Sequence, residues 1–267
     1  MSQIETIRIQ PENAIPTKLN PRDDPWYNPD DMLEVSNLSV RFGRNHALLD
    51  VSCRARPGSI VALVGPNAAG KTTLLRAIAR LINKTSVSGT VSGAGTIAYC
   101  PDTGTGFFDL TVAENIELLM LALEWNATDR AARRSALVRL VSTEPVGSSL
   151  LDTLSLGLRR RVDIALTVCK PAAVYLFDEP YNGLDATWIR TFSGLLTELS
   201  ASGRTCIVAS HSIDLLLPVA SSLWEIDKGR LIQEIHKSPG AIAADSLETL
   251  RTESHAGARL PWLTTGL

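Results

Sequence analysis

The sequence GPNAAGKTT at residues 65–73 constrains this chain more than any other stretch. It follows an apolar run at 59–64 that predicts a buried strand, and it precedes a segment at 73–81 with the apolar spacing of a helix. A glycine-bounded loop between a strand and a helix can bind phosphate, because backbone N–H groups of the loop and the helix N-terminus point at phosphate oxygens. This context argues against an ordinary glycine-rich turn and predicts a phosphate-binding loop.

The residue types in this loop fit nucleotide chemistry. Lys71 can reach the β- and γ-phosphates of a bound nucleotide, and the Thr72 hydroxyl can ligate Mg²⁺. We expect every residue of the loop to take part in binding: Gly65, Pro66, Asn67, Ala68, Ala69, Gly70, Lys71, Thr72 and Thr73.

Composition argues against several other classes of protein. The 267 residues are 45% hydrophobic and 20% charged, as in a soluble globular protein, and the net charge of -2 gives no hint of a nucleic-acid-binding surface. The four cysteines lack the paired spacing of a metal site, so we expect reduced thiols in a cytosolic setting. No apolar stretch approaches about 18 residues and the N-terminus lacks a signal-peptide pattern, so the chain is not expected to span a membrane itself.

The pattern along the chain predicts three parts. Residues 1–31 carry five prolines and little apolar periodicity, which predicts an extended or disordered leader. Residues 32–235 predict one α/β domain, and residues 236–267 form a C-terminal extension to which we assign no function. Within the domain, the segment at about 103–168 is mainly helical, including an expected helix at about 128–141, and this predicts an inserted helical subdomain.

Strands alternate with helices in the rest of the domain, which predicts a mostly parallel sheet covered on both faces. Two further apolar runs end in polar residues, the first in Asp178-Glu179 and the second in His211. Ligands bind at the carboxyl ends of the strands in such sheets. We therefore expect Gly65, Asp178 and His211 to meet at one edge.

The order of these motifs resembles the nucleotide-binding domain of ATP-binding cassette (ABC) proteins over roughly residues 33–233. The resemblance implies an α/β P-loop NTPase fold, with a mostly parallel sheet core, an antiparallel β subdomain and the inserted helical subdomain. It implies that two such domains, as a homodimer or a heterodimer, hold ATP and Mg²⁺ between the phosphate loop of one and the signature motif of the other. Such a chain would serve a separate transmembrane permease from the cytoplasmic face of the cell membrane, with no nucleic-acid partner.

Five positions take roles from this resemblance. Phe42 resembles the aromatic residue that stacks on adenine, and Asp178 resembles the carboxylate that holds Mg²⁺. Glu179 occupies the place of the general base, which polarises the attacking water. His211 resembles the histidine that hydrogen-bonds the γ-phosphate. Asp185 resembles the key residue of the loop that contacts the opposite subunit.

Three motifs depart from the family pattern. The signature motif Leu-Ser-Gly-Gly-Gln is replaced by LSLGL at 154–158, where Ser155 and Gly157 can still hold a phosphate of the opposite nucleotide. Asp102 stands where the family has a glutamine that ligates Mg²⁺ and contacts the water. A carboxylate there could ligate the cation and act in catalysis, but it adds negative charge near the phosphates. Ala68 replaces a glycine of many members, which is costly if its φ angle is positive.

These features favour an ATPase subunit that powers transport through a permease, with a lean towards export. The alternatives are a soluble ABC-type ATPase without a permease, and a regulatory subunit that binds ATP with weak hydrolysis. Glu179 and His211 favour hydrolysis, whereas Leu158 and Asp102 favour slow turnover or pairing with a different ATPase. The exposed aromatic residues expected at 107–108 would border a groove for a short permease helix.

Overall fold

The computed structural model describes residues 32–83, 86–124, 137, 141 and 146–236. The expected leader, the C-terminal extension and most of the expected helix at 128–141 lie outside these residues. The described part has the α/β P-loop fold that the sequence predicts, with a mixed sheet at its centre and a second, antiparallel sheet.

The centre of the molecule is a six-stranded sheet. Its strands are β3 (Ile60–Val64), β5 (Ile97–Cys100), β6 (Val174–Asp178), β7 (Thr205–Ala209), β8 (Ser222–Asp227) and β9 (Arg230–His236). Their order across the sheet is β5-β6-β7-β3-β8-β9, and all neighbours are parallel except β8 and β9, which form an antiparallel hairpin. Every residue of β3, β6 and β7 is buried, because helices or strands cover both faces there.

A three-stranded antiparallel sheet lies beside the central one. Its strands are β1 (Leu33–Phe42), β2 (Asn45–Ala55) and β4 (Val87–Ser92), in the order β2-β1-β4. Buried residues largely alternate with more exposed ones along β1, which is the pattern of a sheet with one face on the core. This sheet therefore shares one apolar core with the central sheet.

Five helices complete the described fold: α1 (Lys71–Ile78), α2 (Val112–Ala122), α3 (Leu156–Val168), α4 (Ala186–Ala201) and α5 (Ile213–Leu216). Helix α1 packs in the core between the two sheets, and α4 and α5 cover the opposite face of the central sheet. A third apolar cluster joins α2 and α3. Helix α2 begins with a capping box, in which Thr111 and Glu114 each accept from the other's backbone N–H.

The hairpin of β8 and β9 was not predicted from the sequence. Half of the β8 residues are polar, so its sequence SLWEID lacks a clear apolar run, although Trp224 is fully buried. The hairpin turn is Lys228-Gly229, with φ angles of 46° and 76°, and it is not among the dipeptides that most strongly indicate a hairpin. This hairpin matters because its turn reaches the phosphate loop.

Candidate functional site

The phosphate loop runs from the end of β3 to the start of α1, and packing fixes its glycines. Gly65 has a φ of 151°, and a Cβ atom there would lie 2.1 Å from the carbonyl oxygen of Ile226 in β8. Gly70 has a φ of 113°, and its Cβ would lie 2.9 Å from the carbonyl oxygen of Ala47 in β2. Only glycine fits both positions, so β2 and β8 hold the loop from two sides.

Lys71 is folded back over the phosphate loop. Its Nζ donates to the carbonyl oxygens of Gly65 at 2.8 Å and Pro66 at 3.2 Å, and it lies 3.9 Å from Oε1 of Glu179. Burial lowers the pKa of Lys71, while the charges of Glu179 and Asp178 act in the opposite direction. The Lys71 side-chain nitrogen therefore lies at the phosphate loop, where it can reach the phosphates of a bound nucleotide.

Asp178 ends β6 next to the start of α1. Its Oδ1 accepts from the Thr72 hydroxyl at 3.1 Å and its Oδ2 accepts from the Tyr99 hydroxyl at 3.2 Å. The carboxylate is almost fully buried, and burial raises its pKa, while the hydrogen bonds from Thr72 and Tyr99 lower it and the nearby charges of Glu179 and Asp102 raise it further. Burial also raises the pKa of Tyr99 to about 12, so its hydroxyl remains a donor.

The Thr72 and Asp178 oxygens fit a hard divalent cation. Mg²⁺ is commonly bound by one or two protein oxygens, with phosphates and water supplying the other ligands. Among the described residues there is no cluster of three or more His, Cys, Asp or Glu side chains suited to a metal ion. The donor set therefore fits a nucleotide-bound Mg²⁺ and not a cation held by the protein alone.

Glu179 and His211 form a pair at the ends of β6 and β7. Oε2 of Glu179 lies 2.8 Å from Nδ1 of His211 and accepts from the His211 backbone N–H at 3.2 Å. Glu179 has a φ of 48°, and its own N–H donates to the carbonyl oxygen of Ala209 at 2.8 Å. A left-handed φ angle is unfavourable for glutamate, and residues held in such conformations cluster at active sites. The strand ends thus bring together the two residues expected to act on the γ-phosphate and the water.

A cavity of about 650 Å³ lies over the phosphate loop. Its lining comprises loop residues 67–73 and five residues from elsewhere in the chain: His46, Ala47, Glu179, Lys228 and Gly229. No local sequence pattern marks Lys228 or His46 as a residue of this cavity. Gly229 donates its N–H to the carbonyl oxygen of Ala69 at 2.8 Å, which attaches the β8-β9 turn directly to the loop.

Phe42 lies at the end of β1, in the hairpin that contributes His46 to the cavity. It pairs with Asn45, while Arg41 pairs with His46. The Phe42 side chain is 53% exposed, so its ring is accessible to a base. Its position is compatible with the expected stacking on adenine, which stays a prediction.

Asp102 contacts α3 in this structure. Its Oδ1 accepts from the Arg160 guanidinium at 2.6 Å and from the Asn182 side-chain amide at 3.4 Å. The expected role of Asp102 as a cation ligand and catalytic residue stays a prediction. The carboxylate that is bonded to Thr72 is that of Asp178.

The residues expected to serve the opposite nucleotide lie together around the start of α3. Ser155 caps this helix, with its hydroxyl accepting from the Leu158 N–H at 3.3 Å. A Cβ on Gly157 would lie 2.3 Å from the carbonyl oxygen of Gly183, so helix and loop touch there. Asp185 caps α4 and also pairs with Arg161 of α3. None of Ser155, Gly157 and Asp185 is among the described residues that line the phosphate-loop cavity.

A phosphate loop between a parallel strand and a helix, with a carboxylate pair at the end of a second parallel strand of the same sheet, defines a P-loop NTPase. The family model described as "ABC transporter" matches residues 48–182, which is half of the chain. The chain belongs to the ABC transporter family.

Curated relatives are ATP-binding subunits of both import and export systems. The chain is 30% identical over 209 residues to the probable sulfate/thiosulfate import ATP-binding protein of Chlorella vulgaris, covering 74% of this chain and 89% of that protein. It is 28% identical over 213 residues to the SkfA peptide export ATP-binding protein of Bacillus subtilis (strain 168), covering 77% and 89%. The chain is accordingly an ATP-binding subunit of a transporter and an ATPase. The lean towards export stays a prediction, because relatives of both kinds match.

Solved structures show the same fold. An ATP-binding subunit of an ABC transporter superposes with a TM-score of 0.71 at 25% identity, covering 84% of this chain and 93% of that one. A dimeric ATP-binding cassette in a post-hydrolysis state with ADP and phosphate superposes with a TM-score of 0.69 at 22% identity, covering 77% and 99%. Within the described ranges, no helix has the length and apolar character needed to cross a membrane.

Proposed function

We propose that this chain is one half of an ATP-driven motor, in which two cassettes hold two Mg·ATP between them and drive a separate transmembrane permease. The observation that carries the proposal is the bonding of Asp178 to Thr72 beside the Glu179–His211 pair, next to the phosphate loop. Loop residues 65–73 would hold the phosphates, and Phe42 would stack on the adenine.

Glu179 acts as general base in this proposal. It accepts a proton from water as the water oxygen attacks the γ-phosphorus, and the bond to the β–γ bridging oxygen breaks to release ADP. His211 holds Oε2 of Glu179 and hydrogen-bonds the γ-phosphate, while Lys71 moves from the loop carbonyls to the β- and γ-phosphates. Thr72 and Asp178 would hold Mg²⁺, with Asp102 as a further ligand, and the bound ion would neutralise phosphate charge.

Ser155, Gly157 and Asp185 complete the site of the partner cassette. Ser155 offers a hydroxyl and an exposed position at the N-terminus of a 13-residue helix, where phosphate oxygens bind favourably. Leu158 supplies no polar group to this half of the site. We therefore propose slower hydrolysis than in cassettes with the common signature motif, or a heterodimer with one strong and one weak site.

The permease would dock beside Phe107 and Phe108. Their side chains are 60% and 48% exposed, and the Arg159 guanidinium lies over the Phe108 ring at 5.9 Å. Adjacent exposed aromatic residues on a loop next to α3 form an apolar patch suited to a short helix. The chain would then sit peripherally on the cytoplasmic face of the membrane.

Replacing Phe107 and Phe108 together by serine should lower recovery of the chain in membranes that contain its permease.

Hydrolysis and dimerisation of the purified chain test the proposal. Glu179→Gln should abolish turnover in Mg·ATP and shift the protein to a dimer on size exclusion, because ATP binds but is not hydrolysed. Glu34→Gln is the matched control, since Glu34 lies on β1 outside the cavity and pairs with Arg54. A Glu179→Gln variant that turns over ATP at the rate of the unmodified protein would contradict the assignment of the base.

A permease-free ATPase and a regulatory subunit make different predictions. A soluble ATPase would not be retained on membranes by any polytopic protein encoded beside it. A regulatory subunit would bind ATP with turnover that stays weak even in the presence of that membrane protein. Co-purification with the membrane protein encoded beside this chain, followed by an ATPase assay, distinguishes the transporter subunit, the soluble ATPase and the regulatory subunit.

A further inference from the structure

Two buried, oppositely charged side chains of α3 face the loop that follows β5. Arg160 is 3% exposed and Asp163 is 6% exposed. They are three residues apart, so they lie on the same side of the helix. Charged side chains are rarely buried so fully without specific partners, and both find theirs in the loop at 101–106.

Arg160 holds the first part of this loop. Its guanidinium donates to the carbonyl oxygens of Pro101 and Asp102, both at 2.9 Å, and to Oδ1 of Asp102 at 2.6 Å. The planar guanidinium can satisfy three acceptors at once, which a lysine ammonium in the same place would do less well. The loop's carbonyls and its carboxylate therefore depend on a single side chain of α3.

Asp163 holds the second part of the loop. Its Oδ1 accepts from the backbone N–H of Thr105 at 2.7 Å and of Gly106 at 3.3 Å, and from the Thr105 hydroxyl at 3.3 Å. A Cβ on Gly104 would lie 3.0 Å from Asp163 Oδ2. The Asp163 carboxylate accepts from donors of the loop, and the Arg160 guanidinium donates to its carbonyl and carboxylate oxygens. The two charged side chains of α3 therefore hold both ends of the loop at 101–106.

The same loop is joined to the cation-binding carboxylate. Tyr99, three residues before Asp102, donates its hydroxyl to Asp178, and Cys100 pairs with Phe177, the residue before Asp178. On the other side, α3 begins at the residue after Ser155, which is proposed to serve the partner's nucleotide. The loop thus lies between the chain's own nucleotide site and the helix that serves the other one.

We propose that Arg160 is a positioning residue for hydrolysis, and that Arg160 and Asp163 together form a latch that fastens the loop at 101–106 to α3. The proposal rests on the proposed function of Asp178 and Glu179. Arg160 neutralises the Asp102 carboxylate and keeps it at a fixed place beside the site. Without Arg160, the loop loses three hydrogen bonds and an unpaired negative charge is left near the phosphates. The pairing with Arg160 therefore allows a carboxylate at position 102 without adding an uncompensated negative charge beside the site.

A double-mutant cycle on Asp102 and Arg160 tests the latch. Arg160→Gln should lower kcat about tenfold while the KM for ATP changes less than about threefold, because the phosphate loop is untouched. Adding Asp102→Asn should raise kcat of the Arg160→Gln variant at least about threefold, since the unpaired charge is removed while the amide oxygen of asparagine can still ligate the cation. Arg54→Gln, which breaks an exposed arginine–carboxylate pair on the antiparallel sheet, should leave kcat unchanged.

Amide hydrogen exchange of the protein without nucleotide is the second readout. Arg160→Gln and Asp163→Asn should each speed exchange at the Thr105 and Gly106 amides, whereas exchange in the strand β3 should not change. Arg160→Lys keeps the charge and should give intermediate kcat, which guards against a glutamine variant that folds poorly.

Two results would overturn the latch. In the first, Arg160→Gln folds and has the kcat of the unmodified protein. In the second, the effects of Asp102→Asn and Arg160→Gln on kcat simply multiply, so the two residues act independently. If the unmodified chain fails to hydrolyse ATP at all, the proposed function fails, and the exchange rates of Thr105 and Gly106 alone decide whether the latch exists.

Discussion

Three non-glycine residues that line the cavity over the phosphate loop have left-handed backbone angles, and one of them, Lys228, lies in the β8-β9 turn with a φ of 46°. Ala68 in the phosphate loop has a φ of 62°, and Glu179 has a φ of 48°. At Glu179 this conformation accompanies a carboxylate that contacts His211 and lines the cavity, as the proposed general base must. At Ala68 the left-handed angle belongs to the backbone conformation of the phosphate loop, and the methyl group itself makes no bond to phosphate.

Ala68→Gly should therefore stabilise the protein without nucleotide. The left-handed angle costs alanine about 1–2 kcal/mol, and the greater backbone freedom of glycine in the unfolded chain offsets about half of the gain. We expect a net increase of about 0.5–1 kcal/mol in the free energy of unfolding, measured by urea denaturation. Ala79→Gly is the control. Because Ala79 has a φ of -69°, glycine relieves no strain there, and the free energy of unfolding should fall or stay unchanged. Equal losses in both variants would contradict the prediction.

Lys228 places a positive charge on the wall of the nucleotide cavity. Lys228→Met should weaken ATP binding roughly tenfold, as expected for the loss of one charge-assisted contact to a phosphate. Titration of the protein with ATP at low and high salt measures this, and the difference should shrink at high salt. Lys228→Arg should retain the affinity.

Arg230→Met is the matched control for Lys228, since Arg230 is exposed on the same hairpin and is not among the described residues lining the cavity. Equal affinities of the Lys228→Met and Arg230→Met variants would show that the lysine does not contact the nucleotide.

At the scale of elements, the altered signature motif is most tightly constrained at the start of α3, where Gly157 contacts the loop at Gly183. Leu156 is 59% exposed and does not have a positive φ, so leucine causes no backbone strain where the family has glycine. Gly157 is different, because its Cα lies against the Gly183 carbonyl. The motif therefore keeps glycine where two backbones meet.

Gly157→Ala should push α3 away from the loop at Gly183. The required shift should lower the free energy of unfolding by about 1–3 kcal/mol, which thermal or urea denaturation would detect. Gly194→Ala is the control, since Gly194 lies in α4 with open space around it, and it should gain roughly 1 kcal/mol from helix propensity. A neutral Gly157→Ala variant would show that the contact gives way without cost.

At the scale of the whole molecule, the site residues fall into two groups. The phosphate loop and Glu179 line one cavity, and Thr72, Asp178 and His211 bond to one another or to Glu179 beside it. The other group, Ser155, Gly157 and Asp185, surrounds the start of α3. This separation is what a site shared between two cassettes requires.

Mixing two inactive variants tests the shared site. Lys71→Ala should remove the first group and Ser155→Arg the second, so each variant alone should have little ATPase activity. In a heterodimer of the two, one of the two sites is intact. A one-to-one mixture should therefore regain up to about one quarter of the unmodified rate, because half of its dimers are mixed. No recovery, with mixed dimers present, would argue against sites shared in this way.

Much of the site followed from the sequence because parallel strands align their carboxyl ends. Asp178 ends a buried strand, Glu179 and His211 follow closely after buried strands, and β3 leads into the phosphate loop, so the predicted meeting at one sheet edge required only that these strands be parallel. The contact of Thr72 with Asp178, which are 106 residues apart, follows from this arrangement. Local patterns were sufficient where the sheet itself does the positioning.

The sequence by itself determined the phosphate loop, the mostly parallel sheet and the meeting of Asp178, Glu179 and His211 at its edge, since each depends on a short motif placed at the end of an apolar run. Tertiary structure alone decided that Lys228 reaches the cavity, that Ala68 is strained, and that Asp102 pairs with Arg160. These three depend on how a hairpin, a loop and a helix pack together. Such packing is set by contacts between residues far apart in the chain, which no local pattern of residue types records.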